Sequence, residues 1–329
     1  MNIQSCHPFV SVIVPTYKRR ELLRRLLGSL LQLSYPKDGY EIIVIGDAGF
    51  DDGTEQMVKN VAVPASLKLH FVKCSVSAPS AKRNMGIRYA KGGIVAFTDD
   101  DCAVHENWIS KAVPCFSDES VAGVYGQTII PCPSRVSPSY HHATGLAKPG
   151  YQTCNIFYRK NILEKIGGFD EQFAVSCRED SDLAFTLLER GYVITFEPEV
   201  VVEHPVREGE PWDLIKSAKR GCWDPLLFKK HPGLYGETIG GAFPNSYKVF
   251  YLLFSGTLVF LIFRKNFLTA LFLLSYLIFL FWQALRHLRK TDFSFYGWSV
   301  ILISLLVSPY ILLGSVIKGN LKYRSLLWR

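Results

Sequence analysis

Ile94-Val95-Ala96-Phe97-Thr98-Asp99-Asp100-Asp101 runs four apolar residues directly into three consecutive acids. The apolar run has the length of a buried strand, and the acids then stand where that strand emerges into solvent. Three like charges in series repel one another unless something positive holds them. A divalent cation takes carboxylate oxygens readily, which is one use for such a triplet. A solvated turn followed by a helix cap is the other, because Asp is favoured in both roles.

The chain before the triplet alternates strand and helix. Phe9 to Val14 is a short run rich in β-branched residues, as a strand buried on both faces requires. Pro15-Thr16-Tyr17 breaks it, and residues 20–33 then place leucines on one helical face. A second strand, Glu41 to Ile45, ends at Gly46-Asp47 and a loop that closes at Asp52-Gly53-Thr54. A helix, a strand at Leu69 to Val72 and a helix from Ser80 to Ala90 lead back to Ile94. This alternation predicts an α/β fold with a mostly parallel, doubly wound sheet flanked by helices. Ligands of such sheets bind beyond the carboxyl ends of the strands. Asp47 and the triplet both lie at such ends, so they belong to one site.

Beyond the triplet come a helix and strand over residues 107–124 and an irregular Pro- and Ser-rich loop from Pro131 to Pro138. Regular structure resumes over residues 151–165, and Gly167-Gly168-Phe169-Asp170 punctuates it. Glu179-Asp180-Ser181-Asp182 opens a helix whose acidic first turn suits the positive end of the helix dipole. Strands at Val193 to Phe196 and Val200 to Val202 reach Glu203 and His204.

After Pro205 the composition changes. Residues 211–245 read as a basic, amphipathic stretch fit for a membrane surface, with Trp212, Trp223 and Phe228 among its apolar side chains. Three apolar runs follow at about Ser246–Phe263, Phe267–Leu285 and Phe295–Ile317, each near the ~20 residues that cross a bilayer. The expected organisation is therefore a soluble domain over 1–210, an interfacial linker over 211–245 and membrane helices over 246–329. The formal charge of +8 concentrates near these runs and fits anionic headgroups, while no basic arm points to nucleic acid. Eight scattered cysteines without a Cys-x-x-Cys pair fit reduced thiols in a cytosolic compartment. Phe9 to Val14 is too short for a signal peptide. With the first domain cytosolic, three crossings leave Lys318, Lys322, Arg324 and Arg329 outside, against the positive-inside bias. Either the tail is an exception or one run, such as the third with its Pro309, does not fully cross.

The ordered set Val10-Ser-Val-Ile-Val-Pro-Thr-Tyr17, Asp47 with Asp52-Gly53-Thr54, Ala81-Lys-Arg-Asn-Met-Gly86, Asp99 to Asp101, Gly167-Gly-Phe-Asp-Glu171 and Glu179-Asp180-Ser-Asp-Leu183 resembles the family 2 glycosyltransferases of the GT-A fold. The resemblance covers about residues 9–205. It implies an inverting, metal-dependent transferase acting at a membrane, its catalytic domain on the cytoplasmic side of the cell (inner) membrane. The donor would be a nucleotide-diphosphate sugar (UDP-, GDP- or dTDP-linked) and the acceptor a lipid-linked or membrane-associated glycan.

The resemblance also implies roles for residues. Pro15, Tyr17 and Asp47 line the nucleotide, with the Asp47 carboxylate accepting a base N–H. Arg83 and Asn84 lie beside the diphosphate, which suits the guanidinium fork. Asp99 and Asp101 are the outer carboxylates of an Asp-x-Asp motif holding Mg²⁺ or Mn²⁺, with Asp99 also reaching the ribose. Alternation along an extended segment turns Asp100 away. His204 is a further metal ligand. Asp180 is the base that takes the acceptor's proton, and Glu179 crowds it with like charge. Gly167 and Gly168 turn the chain near the acceptor, where Asn155 and Arg159 are lesser candidates.

Two departures stand out. Gly46 and Ala48 replace the residues usual on either side of the base-binding Asp, and Ser217-Ala-Lys-Arg-Gly221 keeps only the Arg of the motif carried by processive synthases. Transfer of a single sugar fits better than polymer extrusion. A catalytically silent, membrane-anchored nucleotide-sugar scaffold is the competing class.

Overall fold

The computed structural model describes residues 7–132, 150–205, 212–288 and 295–327. The Pro- and Ser-rich loop lies almost wholly outside them. The chain divides into two compact units, one ending at Pro205 and one made mainly of the residues after it.

The first unit is built on an eight-stranded sheet of order β3-β2-β1-β4-β7-β6-β8-β5. Its strands are β1 (Val10–Pro15), β2 (Tyr40–Asp47), β3 (Lys68–Cys74), β4 (Ile94–Phe97), β5 (Ala103–Val104), β6 (Val121–Ile129), β7 (Ile156–Arg159) and β8 (Val193–Glu203). The helices are α1 (Arg20–Leu31), α2 (Thr54–Lys59), α3 (Pro79–Tyr89), α4 (Trp108–Ala112), α5 (Lys160–Ile166) and α6 (Glu179–Glu189). β1 to β4 pair in parallel, and β1, buried along its length, is sandwiched between β2 and β4 as its β-branched run predicts. Two apolar clusters cover the two faces of the sheet, one around α1 and Trp108, the other around Phe97, Phe169 and Leu183.

The register fixes the site. Val14 pairs with Val44 and Ile13 with Phe97, so the carboxyl ends of β1, β2 and β4 open at one edge of the sheet, with β4 ending first and β2 reaching furthest. Thr16, Asp47 and Thr98 emerge at that edge. The sheet is mixed: β1 to β4 are parallel as expected and β8 runs parallel to β6, but β7 lies antiparallel between β4 and β6 and β5 antiparallel to β8. β8 is one long strand rather than two, and it pairs with β6 in three registers, the larger shift falling after Gly126. Gly126 stands opposite Glu197 and Gln127 opposite Val201, so Pro198, Glu199 and Val200 bulge out of the ladder. A Cβ on Gly126 would meet the Val200 carbonyl oxygen at 1.9 Å, which is why that position takes glycine.

The second unit is helical. It contains α7 (Asp213–Arg220), a 3₁₀ turn at Gly221–Trp223, α8 (Asp224–Lys230), α9 (Pro232–Thr238), α10 (Asn245–Ile262), α11 (Asn266–Leu288) and α12 (Phe295–Tyr323). The last three are long and apolar enough to cross a membrane. The third extends beyond its apolar run, through Lys318 and Lys322 to Tyr323.

Candidate active site

The acid triplet is not an extended segment. Cys102 N–H donates to the Asp99 carbonyl at 3.1 Å, closing a turn in which alternation no longer applies. Asp100 accepts from Thr16 Oγ1 at 2.8 Å and from Arg19 Nη1 at 2.9 Å. The same Arg19 nitrogen reaches Asp101 Oδ2 at 3.2 Å. Asp100 therefore faces the same cation as Asp101 instead of pointing away. Burial raises its proton affinity, with Arg19 and Thr16 opposing that rise. The side chains of Asp100 and Asp101 are 4% and 1% exposed, while that of Asp99 is 30% exposed and looks into the open site.

Asp101 meets His204 on its other oxygen, with Nε2 3.5 Å from Oδ1. His204 Nδ1 lies 3.2 Å from the Pro205 carbonyl oxygen, which can only accept, so Nδ1 carries the proton of that bond. A neutral imidazole then turns a lone pair at Asp101. A cation between the two, or a second ring proton, resolves that opposition. Cys102 brings a third ligand atom, all three lying within 4.8 Å of one another. Burial holds the Cys102 thiol well above its usual value, hence protonated, and a thiol is a poor donor to a hard ion. The carboxylate and imidazole that remain suit Mn²⁺, or Mg²⁺ less well. Of the expected ligands, Asp101 and His204 come together, whereas Asp99 opens the same turn outside that group and faces Arg83.

Asp47 at the end of β2 is occupied. Ser77 Oγ donates to one oxygen at 2.7 Å and Lys82 Nζ to the other at 2.9 Å, and Lys82 also donates to the Thr16 carbonyl at 2.8 Å. Lys82 is buried, and its ammonium stands 5.3 Å from the Tyr17 ring centre. Tyr17 and Phe50 are exposed rings 6.2 Å apart, with Lys18 Nζ 4.1 Å from the Phe50 centre. Together with Asp47, Asp52 and Phe71 they line a cleft at the ends of β1 and β2. Pro15 ends β1 just beneath it. Gly46 has a local cause here, because a Cβ would meet Phe71 Cζ at 2.4 Å. The ring of Phe71 takes the space that an apolar side chain at 46 would fill.

Arg83 is a buried link, not a solvated helix residue. Its Nη1 donates to Glu179 Oε1 at 2.8 Å and its Nη2 lies 3.4 Å from Asp99 Oδ1. Burial works against the guanidinium charge, but Glu179 and Asp99 outweigh it and hold Arg83 above its usual value. Glu179 is pushed up to about 7, first by burial and then by the Asp180 charge, against the pull of Arg83. Asp180 beside it is partly exposed, accepts from the Ser181 N–H at 2.7 Å and is also raised by desolvation. The pair opens α6 behind Arg178, a non-glycine residue at φ 74°. Through Arg83 that first turn is tied to Asp99 at the end of β4.

Three expected site residues hold structure instead. Asn84 donates to the Phe169 carbonyl and to Glu171, both at 2.9 Å, and accepts from Phe169 N–H at 2.8 Å. Its amide is committed to the glycine loop, whose Gly168 has φ +73° and no room for a Cβ against Asn84 Oδ1. Asn155 accepts from Trp108 Nε1 at 2.8 Å and donates to the Gln127 and Val200 carbonyls, so it fastens the β8 bulge. Arg159 donates to the carbonyls of Val121, Phe116 and Asp118 and lies at the opposite end of β4 from the turn. Conversely, Arg19 and Lys82 were missed. Their signal was present: a basic pair directly after the first-strand motif, and a second cation beside Arg83.

A family model described as Glycosyl transferase family 2 matches residues 11–174. Glycosyltransferase AglE of Haloferax volcanii is 28% identical over 211 residues, covering 61% of this chain and 68% of AglE. The pre-mycofactocin glycosyltransferase of Mycobacterium tuberculosis is 27% identical over 249 residues, covering 69% of this chain and 49% of that protein. Among solved structures, the mannosyltransferase PcManGT from Pyrobaculum calidifontis, in complex with GDP-Man and Mn²⁺, superposes with a TM-score of 0.53. It covers 97% of this chain and 87% of its own at 19% identity, a likeness of fold.

Proposed function

Because this chain belongs to glycosyl transferase family 2, we propose that it moves a sugar, with inversion, from a nucleoside-diphosphate sugar to a lipid-linked or membrane-associated glycan, aided by Mg²⁺ or Mn²⁺. The apolar helices hold the catalytic unit at the cytoplasmic face of a cell membrane. One observation carries the reading: a single guanidinium, Arg83, joins the acid pair of α6 to the carboxylates after β4. Donor-side and acceptor-side chemistry thereby meet at one edge of the sheet.

In this reading Tyr17 and Phe50 sandwich or flank the base, and Asp47 accepts a ring N–H with a lone pair not used by Ser77 or Lys82. Lys82 and Arg83 supply positive charge toward the diphosphate. Asp101 and His204, with Asp99 open to the site, hold the cation, and when bound that ion neutralises the diphosphate as it leaves. Asp180 takes the proton of the acceptor hydroxyl as the oxygen attacks the anomeric carbon from the face opposite the leaving group. Glu179, tied to Arg83, fixes the position of α6 and tunes its neighbour's charge. Asn84 and Gly168 shape the acceptor side without touching the donor.

The test is transfer of radiolabelled sugar from a panel of nucleotide sugars to membrane lipid extract, by the wild type and by Asp180→Asn. Product from the wild type and its loss in the variant support the proposal. Equal product from both removes the base.

A further inference from the structure

The three apolar helices are alike in composition but not in placement. α10 and α11 form an antiparallel hairpin. Phe260 stacks near Phe272 at 5.1 Å, Phe254 near Tyr276 at 6.0 Å, and Phe250 near Tyr276 at 5.3 Å. Gly256 admits the Phe272 ring, which a Cβ would meet at 2.4 Å. Partner numbers fall in one helix as they rise in the other, so the last turns of α11 lie level with the first turn of α10.

Residues 289–294 connect α11 to α12. The seven steps from Leu288 to Phe295 span at most about 25 Å, short of the ~30 Å hydrocarbon core. α12 therefore begins on the face where α10 begins. Its second half is on that face as well. Tyr247 and Ser308 hydroxyls lie 2.8 Å apart, Tyr251 OH donates to the Pro309 carbonyl, and Tyr310 packs on Phe250 at 5.4 Å. Tyr310 also packs on Phe254 at 5.5 Å, so the α10 partners fall within its first three turns.

Past Pro309, α12 docks on the chain that precedes α10. A Cβ on Gly221 would meet Leu312 at 2.3 Å, and one on Gly319 would meet the Cys222 carbonyl at 2.4 Å, so the two backbones approach closely. Lys229 Nζ donates to the Tyr323 carbonyl at 2.9 Å, and Lys322 Nζ stands 5.3 Å from the Trp223 ring centre. α7 and α8 carry Lys216, Lys219, Arg220, Lys229 and Lys230, which do not enter hydrocarbon.

We propose that α12 does not cross the bilayer but lies in the leaflet on the side where α10 begins, as a docking surface for phospholipid. This rests on the membrane reading above. Val300, Ser304, Ser308, Leu312 and Val316, spaced by four, form a buried stripe against the protein. Leu302, Ile303, Leu306, Ile317 and Leu321 are exposed on the remaining surface and meet acyl chains. Lys318, Lys322 and Arg324 gather at the end docked on α8, where headgroup phosphates carry the opposite charge. Only the α10–α11 hairpin crosses. The carboxyl-terminal tail returns to the side of α7, so the basic residues of α7, α8 and the tail share one side. The charged tail then obeys the positive-inside bias.

The experiment is labelling of full-length single-residue variants with a membrane-impermeant maleimide in sealed, right-side-out and inverted vesicles, read above the wild-type background. Leu326→Cys reports the tail, Glu237→Cys the α9 side and Asn266→Cys the α10–α11 turn, all at exposed positions. We expect Leu326→Cys and Glu237→Cys to label in one vesicle orientation and Asn266→Cys in the other, with at least tenfold selectivity. Tail labelling together with Asn266→Cys overturns the proposal and makes α12 a third crossing. Labelling of all three sites in one orientation, or release of the protein by alkaline carbonate, overturns the membrane reading itself.

Discussion

Arg83 and Glu179 form a buried ion pair at 2.8 Å that ties α3 to the head of α6, with Asp99 3.4 Å from the guanidinium's other nitrogen. Removing one partner of a buried pair leaves the other charge uncompensated, at a cost of about 3–5 kcal/mol. Arg83→Met should lower stability on that scale, and by loosening α6 should cut transfer at least ~100-fold. Chemical unfolding and turnover measure the two losses. Unchanged stability with lost turnover would make Arg83 a purely donor-binding group.

The same pair governs pH. Glu179 sits at about 7, above its unfolded value. Between the two values the folded chain holds a proton that the unfolded chain has released, so this group's contribution falls as pH rises toward and through 7. The melting temperature of wild type relative to Glu179→Gln should therefore decline between about pH 5 and 7.5. A difference that grows over that range contradicts the raised affinity.

Within the acid turn the two buried carboxylates should part company. Asp101→Asn should abolish Mn²⁺ binding followed by electron paramagnetic resonance, because Asp101 faces His204. Asp100→Asn should keep that binding and lose about 1–3 kcal/mol of stability, because Asp100 holds Thr16 and Arg19. Loss of Mn²⁺ in both variants would make Asp100 a ligand.

Gly46 and Phe71 test packing at the base cleft. Gly46→Ala should cost about 1–3 kcal/mol by overpacking against the ring. Phe71→Leu in that background should recover at least half of it, a coupling readable in urea midpoints. Additive losses would mean that another neighbour blocks the site.

Much of this was legible in residue order. The β-branched runs at Val10 and Ile42, broken by Pro15 and Gly46, announce parallel strands, and their polar exits announce the site. The antiparallel insertion of β7 was not legible, because Ile156 to Tyr158 is a buried apolar run whose period carries no direction. The family motif also assigned Asn84 to the donor, whereas its hydrogen bonds go to the glycine loop. A motif records which residues recur at a place, not which neighbour each one holds. Arg19 and Lys82 escaped for the converse reason. Their partners, Asp100 and Asp47, lie far away in sequence and become neighbours only through the strand register.

The bulge of β8 separates two registers within one strand. Beyond it Val201 to Glu203 pair with Gln127 to Ile129, and the His204 N–H donates to the Ile129 carbonyl at 2.9 Å. The ladder on β6 therefore sets where the His204 ring arrives, whatever the number of residues looped out before it. Asn155 and Gly126 close on the Val200 carbonyl and make it the fixed point from which the later register starts. Insertions and deletions should therefore be tolerated at Pro198 and Glu199, while one between Val201 and His204 should turn the ring to the other side of the sheet.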